Sequence, residues 1–256
     1  MIPPDDRGLT LGDGLFETVL AQAGQLVDWQ AHLHRMAAGC EVLGLPAAEP
    51  QEAERLAREA LAAAGLDQAR AAVRLTLTAG SGGRGLDRPD PVRSRMFAIA
   101  APAPAPLGPA RLITAKVRRN ADSPASRLKA LAYLDNVLAR QEARAAGADE
   151  AVMVNTRGEL ACAAAANLFW IRDGRIETPD LACGVLAGVM RARVLAAAAA
   201  LGEPVAKVRA TEAALEAAQA VFLTNSLIGL RPVAAWNGRS FGPSALVDRL
   251  AALVAA

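Results

Sequence analysis

Lys129 is the residue whose type most needs a chemical explanation. The chain carries 28 lysines and arginines, but only Lys116, Lys129 and Lys207 are lysines. Arginine supplies solubilising charge, yet it cannot form a Schiff base. That step needs a primary amine whose proton affinity burial or a neighbouring cation can tune. Lys129 follows Ser123-Pro124-Ala125-Ser126 and stands among Leu128, Leu131 and Leu134. Lys116 lies beside Arg118 and Arg119, and Lys207 alternates with Arg209, patterns that fit solvated edges. An ordinary lysine at a helix start is the alternative reading of Lys129.

Four other groupings hold polar chemistry. His32 and Arg35 are three apart and share a helix face, as caps or surface groups do as readily as ligands. Residues 80–85 read Gly-Ser-Gly-Gly-Arg-Gly, which suits an anion cradle or a mobile loop. They lack the Lys-Ser/Thr ending of a nucleotide loop and the dinucleotide spacing. Gly188 opens an apolar helical run, where exposed N–H groups suit a phosphate and a plain glycine turn is equally open. Thr224-Asn225-Ser226 places polar groups at a strand end.

The elements that must position these residues follow from periodicity. Gly12 and Gly14 flank Asp13 in a turn. The run after it alternates, with Phe16 and Thr18 on one face and Glu17 and Val19 on the other. Helices are predicted over 31–43 and 51–63, and strands over 71–78 and 94–101. The alternation of Ala and Pro in 101–109 reads as a stiff interdomain linker. Residues 112–117 begin the second half as a strand. A long helix is predicted over 129–146, closed by Gly147, with Tyr133 on the face of Lys129. Residues 150–179 read as a meander of short antiparallel strands. A helix over 184–200, a helical piece over 208–215, a strand over 220–225 and a terminal helix over 243–255 complete the chain.

Composition narrows the function classes. A length of 256 residues allows one large domain or two smaller ones, and the formal charge of +2 gives no prior for nucleic acid or membrane binding. Cys40, Cys162 and Cys183 are odd in number and far apart, so neither a disulfide framework nor a paired-cysteine metal site is expected. No signal peptide or membrane span is visible, and the cytoplasm is the expected compartment.

Taken in order, several stretches resemble the class-IV aminotransferase family, the pyridoxal-phosphate enzymes of fold type IV. They are 12–18 (Gly-Asp-Gly-Leu-Phe-Glu-Thr), 32–36 (His-Leu-His-Arg-Met), 80–85, 128–131 (Leu-Lys-Ala-Leu), 148–151 (Ala-Asp-Glu-Ala), 166–170 (Ala-Asn-Leu-Phe-Trp) and 188–191 (Gly-Val-Met-Arg). The resemblance covers nearly the whole chain and is strongest to the branch that cleaves 4-amino-4-deoxychorismate. It implies a mixed α/β, two-domain fold of the D-amino-acid aminotransferase kind. The domains would be 1–109 and 110–256, the second carrying the Schiff-base lysine. It implies pyridoxal 5'-phosphate as cofactor, a small-molecule substrate, a homodimer, no metal, and an active site between two domains. By position it makes Lys129 the Schiff-base lysine and places Thr18 on the substrate side. Arg35 would hold the cofactor phosphate, with the backbone of Gly188 and Val189 and the strand end Asn225–Ser226 as the second cradle. Gly82 to Arg84 would help bind an acidic substrate.

The chain departs from the family pattern at three places. The glutamate that keeps the pyridine nitrogen protonated falls on Cys162, whose neutral thiol holds that proton poorly. Glu159 is three residues away, on the opposite face unless a bulge rotates it inward. Ala79 and Ala132 stand where an arginine and an asparagine are usual. The resemblance thus implies a lyase forming 4-aminobenzoate and pyruvate, because aromatisation asks less of the electron sink than transamination does. The alternatives are a branched-chain or D-amino-acid aminotransferase, a relative that kept the scaffold without catalysis, or an elimination on another amine.

Overall fold

The computed structural model describes residues 2–103 and 108–255. They divide into two compact units. The first holds residues 2–103 together with Leu128–Ala132, and the second holds 108–127 and 133–255. Residues 104–107, part of the expected linker, lie outside the described residues. Ala101 and Pro102, also assigned to the linker, instead end a strand, paired with Ala72 and Ala71.

The first unit opens with α1 (Arg7–Leu11), capped by the Asp6 carboxylate, which accepts from the Gly8 N–H. Strands β1 (Gly14–Gln22), β2 (Gln25–Leu26), β3 (Ala71–Thr78) and β4 (Arg95–Pro102) form an antiparallel sheet of order β2-β1-β3-β4. Helices α2 (Trp29–Leu43) and α3 (Pro50–Ala63) pack on one face. Alternation dictates that face. Leu15, Val19, Val73, Leu75 and Leu77 point to it and meet Leu33, Met36, Cys40, Ala57 and Leu61 in one buried cluster. Close approach needs Gly39, because a Cβ there would fall 2.7 Å from Leu15 Cδ1. Phe16, Thr18, Arg74 and Thr76 occupy the other face.

Lys129 does not begin a helix. A short 3-10 turn, Pro124–Arg127, ends before it. Leu128–Ala132 then runs beside the start of β1: the Phe16 N–H donates to the Lys129 carbonyl at 2.9 Å, and the Leu131 N–H donates to the Gly14 carbonyl at 3.0 Å. Gly14 permits this, since a Cβ there would lie 2.9 Å from Leu131 Cδ1 and 2.3 Å from the Leu77 carbonyl oxygen. The backbone groups a helix would have satisfied are satisfied by β1 instead. Lys129 therefore belongs to the first unit and not to a C-terminal domain. Tyr133 is the N-cap of the next helix, so the expected shared face of Lys129 and Tyr133 is lost.

The second unit runs β5 (Ala110–Thr114), α4 (Leu134–Ala145), β6 (Glu150–Val154), β7 (Leu160–Ala163), β8 (Asn167–Arg172), β9 (Arg175–Pro179), α5 (Val189–Ala200), β10 (Val205–Val208), α6 (Ala213–Glu216), β11 (Ala220–Asn225), β12 (Gly229–Trp236), β13 (Arg239–Ser240) and α7 (Ala245–Ala255). The sheet order is β10-β9-β8-β11-β12-β5-β6-β7, with β13 on β12. Within 150–179 the pairs β6–β7 and β8–β9 are antiparallel as expected, while β10–β9, β12–β5 and β5–β6 join strands from outside that stretch in parallel. Residues 205–208 are strand and only Ala213–Glu216 is helical, where a single helical piece over 208–215 was expected. The sheet curls around Leu112, Val152, Leu160, Leu168, Trp170, Val221, Leu223 and Trp236, which share one cluster. On the outer side Phe169 and Phe222 stack at 4.9 Å and meet α5 and α7. Helix α4 covers Ala151, Met153 and Cys162 through Ala139 and Ala143.

Candidate active site

The first unit gathers Lys129, Thr18 and Arg35 around β1. Pairing of Lys129 and Leu131 with β1 fixes the backbone here, and the Lys129 Nζ lies 4.3 Å from the centroid of the Phe16 ring. The same ring carries the Arg74 guanidinium at 3.6 Å, a second cation on one aromatic group. Thr18 is on the face of Phe16 and is the direct cross-strand partner of Arg74. One sheet face thus presents an amine, a hydroxyl and a guanidinium.

Arg35 is held from beneath. Its Nε donates to Glu17 Oε1 at 2.8 Å and its Nη2 to Oε2 at 2.5 Å, while His32 Nδ1 stands 2.7 Å from Oε2. The Glu17 and His32 side chains are each about 1% exposed. Burial pushes the Glu17 carboxyl up, but the hydrogen bonds from Arg35 and His32 outweigh it and hold the group below its ordinary range. Glu17 and His32 were missed as partners of Arg35. The available signal was a charged residue on the inward face of an otherwise apolar alternation.

The glycine-rich loop is organised around a buried cation. Arg7 is 4% exposed. It donates to the carbonyls of Gly85, Leu86 and Asp87 at 3.3, 2.9 and 3.0 Å, and to Asp13 at 2.9 Å. The loop therefore turns carbonyl oxygens onto an arginine, a polarity opposite to that of an anion cradle.

In the second unit Gly188 is the N-cap of α5 and has no side-chain cap. Only glycine fits there, because a Cβ would lie 1.9 Å from Asn167 Oδ1. Asn167 is anchored in turn by donating to the Leu186 carbonyl at 2.9 Å. The first N–H groups of the helix have no intrahelical partner by construction. Val189, Met190 and Arg191 are all buried in this turn. Arg191 donates to the Pro179 carbonyl at 3.1 Å. Its Nε has no hydrogen-bond partner among the described residues, nor has the Thr224 hydroxyl. Asn225 uses its amide on the backbone: Oδ1 accepts from Leu227 and Ile228 N–H, and Nδ2 donates to Ala165. Ser226 follows in the same turn.

A surplus of buried donors beside a helix N-terminus fits a phosphate monoester. A lysine pinned beside a sheet face fits an aldehyde carbon. The position of the expected acid has a different chemistry. Cys162 is 6% exposed and opposite Met153, and burial pushes its thiol up. Asn136 donates to the Ala164 carbonyl at 2.7 Å and accepts from the buried Arg119 at 3.3 Å. The register does shift beside Val154, yet Glu159 is committed elsewhere. It accepts from Asn155 at 2.8 Å, Arg209 at 2.7 Å and Arg157 at 3.3 Å. Against its partial burial, those hydrogen bonds hold its carboxyl down to about 2.

These features and the fold define a class. A model of the amino-transferase class IV family matches residues 14–236, and the chain belongs to that family. Its members use pyridoxal 5'-phosphate. Among individual relatives, a putative branched-chain-amino-acid aminotransferase of Methanocaldococcus jannaschii is 32% identical over 91% of this chain and 82% of its own. An aminodeoxychorismate lyase of Vibrio harveyi is 31% identical over 91% and 86%. The crystal structure of a putative 4-amino-4-deoxychorismate lyase from Legionella pneumophila superposes with a TM-score of 0.93 at 29% identity, covering 100% of this chain and 94% of that one. No helix among the described residues is long and apolar enough to cross a membrane.

Proposed function

We propose that the protein is a pyridoxal-phosphate-dependent lyase that converts 4-amino-4-deoxychorismate to 4-aminobenzoate and pyruvate, working as a homodimer. The observation that carries the choice is Cys162. A buried neutral thiol stands where the resemblance places an acid, and Glu159 is tied to Asn155, Arg157 and Arg209. The bound cofactor supplies an electron sink for the carbon that carries the amine. Without a paired acid that sink is weaker, which penalises amino-acid transamination more than a step that ends in an aromatic ring.

Within this reading Lys129 holds the cofactor and then takes the proton from the ring carbon bearing the amine. The bond from the ring to the enolpyruvyl oxygen breaks, and that group leaves with the electron pair. Thr18 delivers the proton that turns the departing group into pyruvate. Atoms balance without an added reactant. Arg35 is the first unit's candidate for the phosphate; the start of α5, from Gly188 to Val189, is the second unit's, with Asn225 shaping the turn that presents Ser226. The Arg35 guanidinium, oriented by Glu17, suits a doubly charged oxyanion.

The second reading is a branched-chain aminotransferase, favoured by the similarity to the archaeal relative. Paired assays separate the two. Purified protein is given aminodeoxychorismate, with pyruvate and 4-aminobenzoate followed, and in parallel L- and D-amino acids with a keto acid. Faster turnover of any amino-acid pair overturns the lyase reading.

A further inference from the structure

We infer that the Thr224 hydroxyl is a ligand of the cofactor phosphate. The inference rests on the cofactor-binding reading above and adds a residue to it. Thr224 and Asn167 are direct partners in the β8–β11 ladder, so their side chains rise side by side from one face of the sheet. That face carries Phe169 and Phe222 further along and packs against α5. Asn167 reaches the N-cap of the helix, with its Oδ1 in the space a Gly188 Cβ would fill. Thr224 therefore sits under the N-terminus of a twelve-residue helix.

Thr224 is fully buried, at 0% exposure, and its Oγ1 has no partner among the described residues. A buried hydroxyl in that condition carries a desolvation penalty. The other groups left without partners at this helix start are donors: the first N–H groups of α5 have no intrahelical acceptor, and the Nε of buried Arg191 has no partner among the described residues. Donors without an acceptor call for an anion with several oxygens. A phosphate ester accepts from the helix and the hydroxyl at once.

The consequence is a trade between the empty and loaded protein. Thr224→Val keeps the shape and removes the hydroxyl, and Thr224→Ser keeps the hydroxyl. Equilibrium titration with pyridoxal 5'-phosphate and with pyridoxal, which lacks the phosphate, isolates the phosphate contribution. Thermal unfolding of the cofactor-free protein reads the penalty. Thr224→Val should melt no lower than wild type without cofactor. It should bind the phosphate ester about tenfold more weakly, the size of one hydrogen bond to a charged group, and bind pyridoxal unchanged. Thr224→Ser should retain the affinity. Equal affinity of wild type and Thr224→Val for the ester overturns the inference, as does equal weakening for both ligands. A Thr224→Val protein that fails to fold or melts lower overturns it too, because its hydroxyl would then already be bonded. Failure of the wild-type protein to bind pyridoxal 5'-phosphate at all would instead sink the cofactor reading beneath it.

Discussion

Two arginines on the two units, the half-buried Arg35 and the buried Arg191, differ in how their charge is met. Arg35 is paired through two hydrogen bonds to Glu17, which His32 also contacts. Arg191 has a backbone carbonyl and, at its Nε, no partner among the described residues. The first arrangement is satisfied without a ligand, so its geometry is set by folding. The second leaves a positive end and a spare hydroxyl, so its satisfaction is deferred to binding. An arginine of the first kind contributes orientation to a ligand, and one of the second kind contributes binding energy.

The largest effect is expected where the first unit does chemistry. Lys129→Ala should lower turnover by about a thousandfold or more, since the proposed function makes one group both covalent anchor and proton carrier. Borohydride reduction and peptide mapping should place the pyridoxyl group on Lys129. An adduct confined to Lys116 or Lys207 would remove the first unit from the comparison altogether.

The next expectation addresses the paired arginine itself. Arg35→Ala leaves Glu17 buried with His32 alone, and losing one partner of a buried pair costs about 3–5 kcal/mol. Cofactor affinity should fall with it. Adding Glu17→Gln should recover much of the stability in urea denaturation, because it removes the stranded charge, but none of the affinity. Arg191→Met should show the reverse pattern: little change in the stability of the cofactor-free protein and weaker binding of the phosphate ester. Equal stability losses in both single variants would erase the distinction between the two arginines.

Acidity distinguishes the units on a smaller scale. Glu17 and Glu159 both have folded carboxyls below their unfolded range. Each binds fewer protons folded than unfolded, so each contributes stability that is complete above the unfolded value and lost as pH falls through the folded one. For Glu159 that window runs from the ordinary 4.5 down to about 2. Urea midpoints measured across this range should fall with acid, and Glu159→Gln should flatten the fall. An unchanged slope in that variant would mean that the Asn155, Arg157 and Arg209 contacts do not hold in solution.

What was legible in the sequence follows the range of the interactions involved. The inward set of β1 and the covering face of α2 are local periodicities, and Leu15, Val19, Leu33 and Met36 pack as the alternation and the helical spacing require. The start of α5 at Gly188 was likewise readable, from a glycine before an apolar run. Lys129 was singled out by scarcity, but its conformation was misread. A leucine-rich stretch after Ser-Pro looks helical until Gly14, more than a hundred residues earlier, admits it beside β1. Parallel pairs such as β10 with β9 also carry no local mark. Thr224 was visible only as part of a polar strand end, because a missing hydrogen bond is a property of the packed neighbourhood.

The smallest expected effect is also the one that sharpens the choice of chemistry. Cys162→Glu restores the acid in a pocket where burial and the Glu150 carboxylate oppose negative charge and the Arg119 guanidinium favours it. If this residue faces the pyridine nitrogen, an ionised carboxylate there stabilises the protonated ring, at about 1.4 kcal/mol for each unit by which the nitrogen's pKa rises. Amino-acid half-reactions should then accelerate several-fold to about tenfold, the range of up to one such unit. Lyase turnover should stay within about twofold, since the forming aromatic ring already drives bond cleavage and half a unit or less is drawn on. Glu159→Gln serves as the control, because its carboxylate is held by Arg157 and Arg209 and its loss should leave the cofactor spectrum unchanged. A spectrum that shifts in Glu159→Gln and not in Cys162→Glu would transfer the role to Glu159. Acceleration of the lyase and the amino-acid reactions by the same factor would remove the electron-sink argument for the lyase.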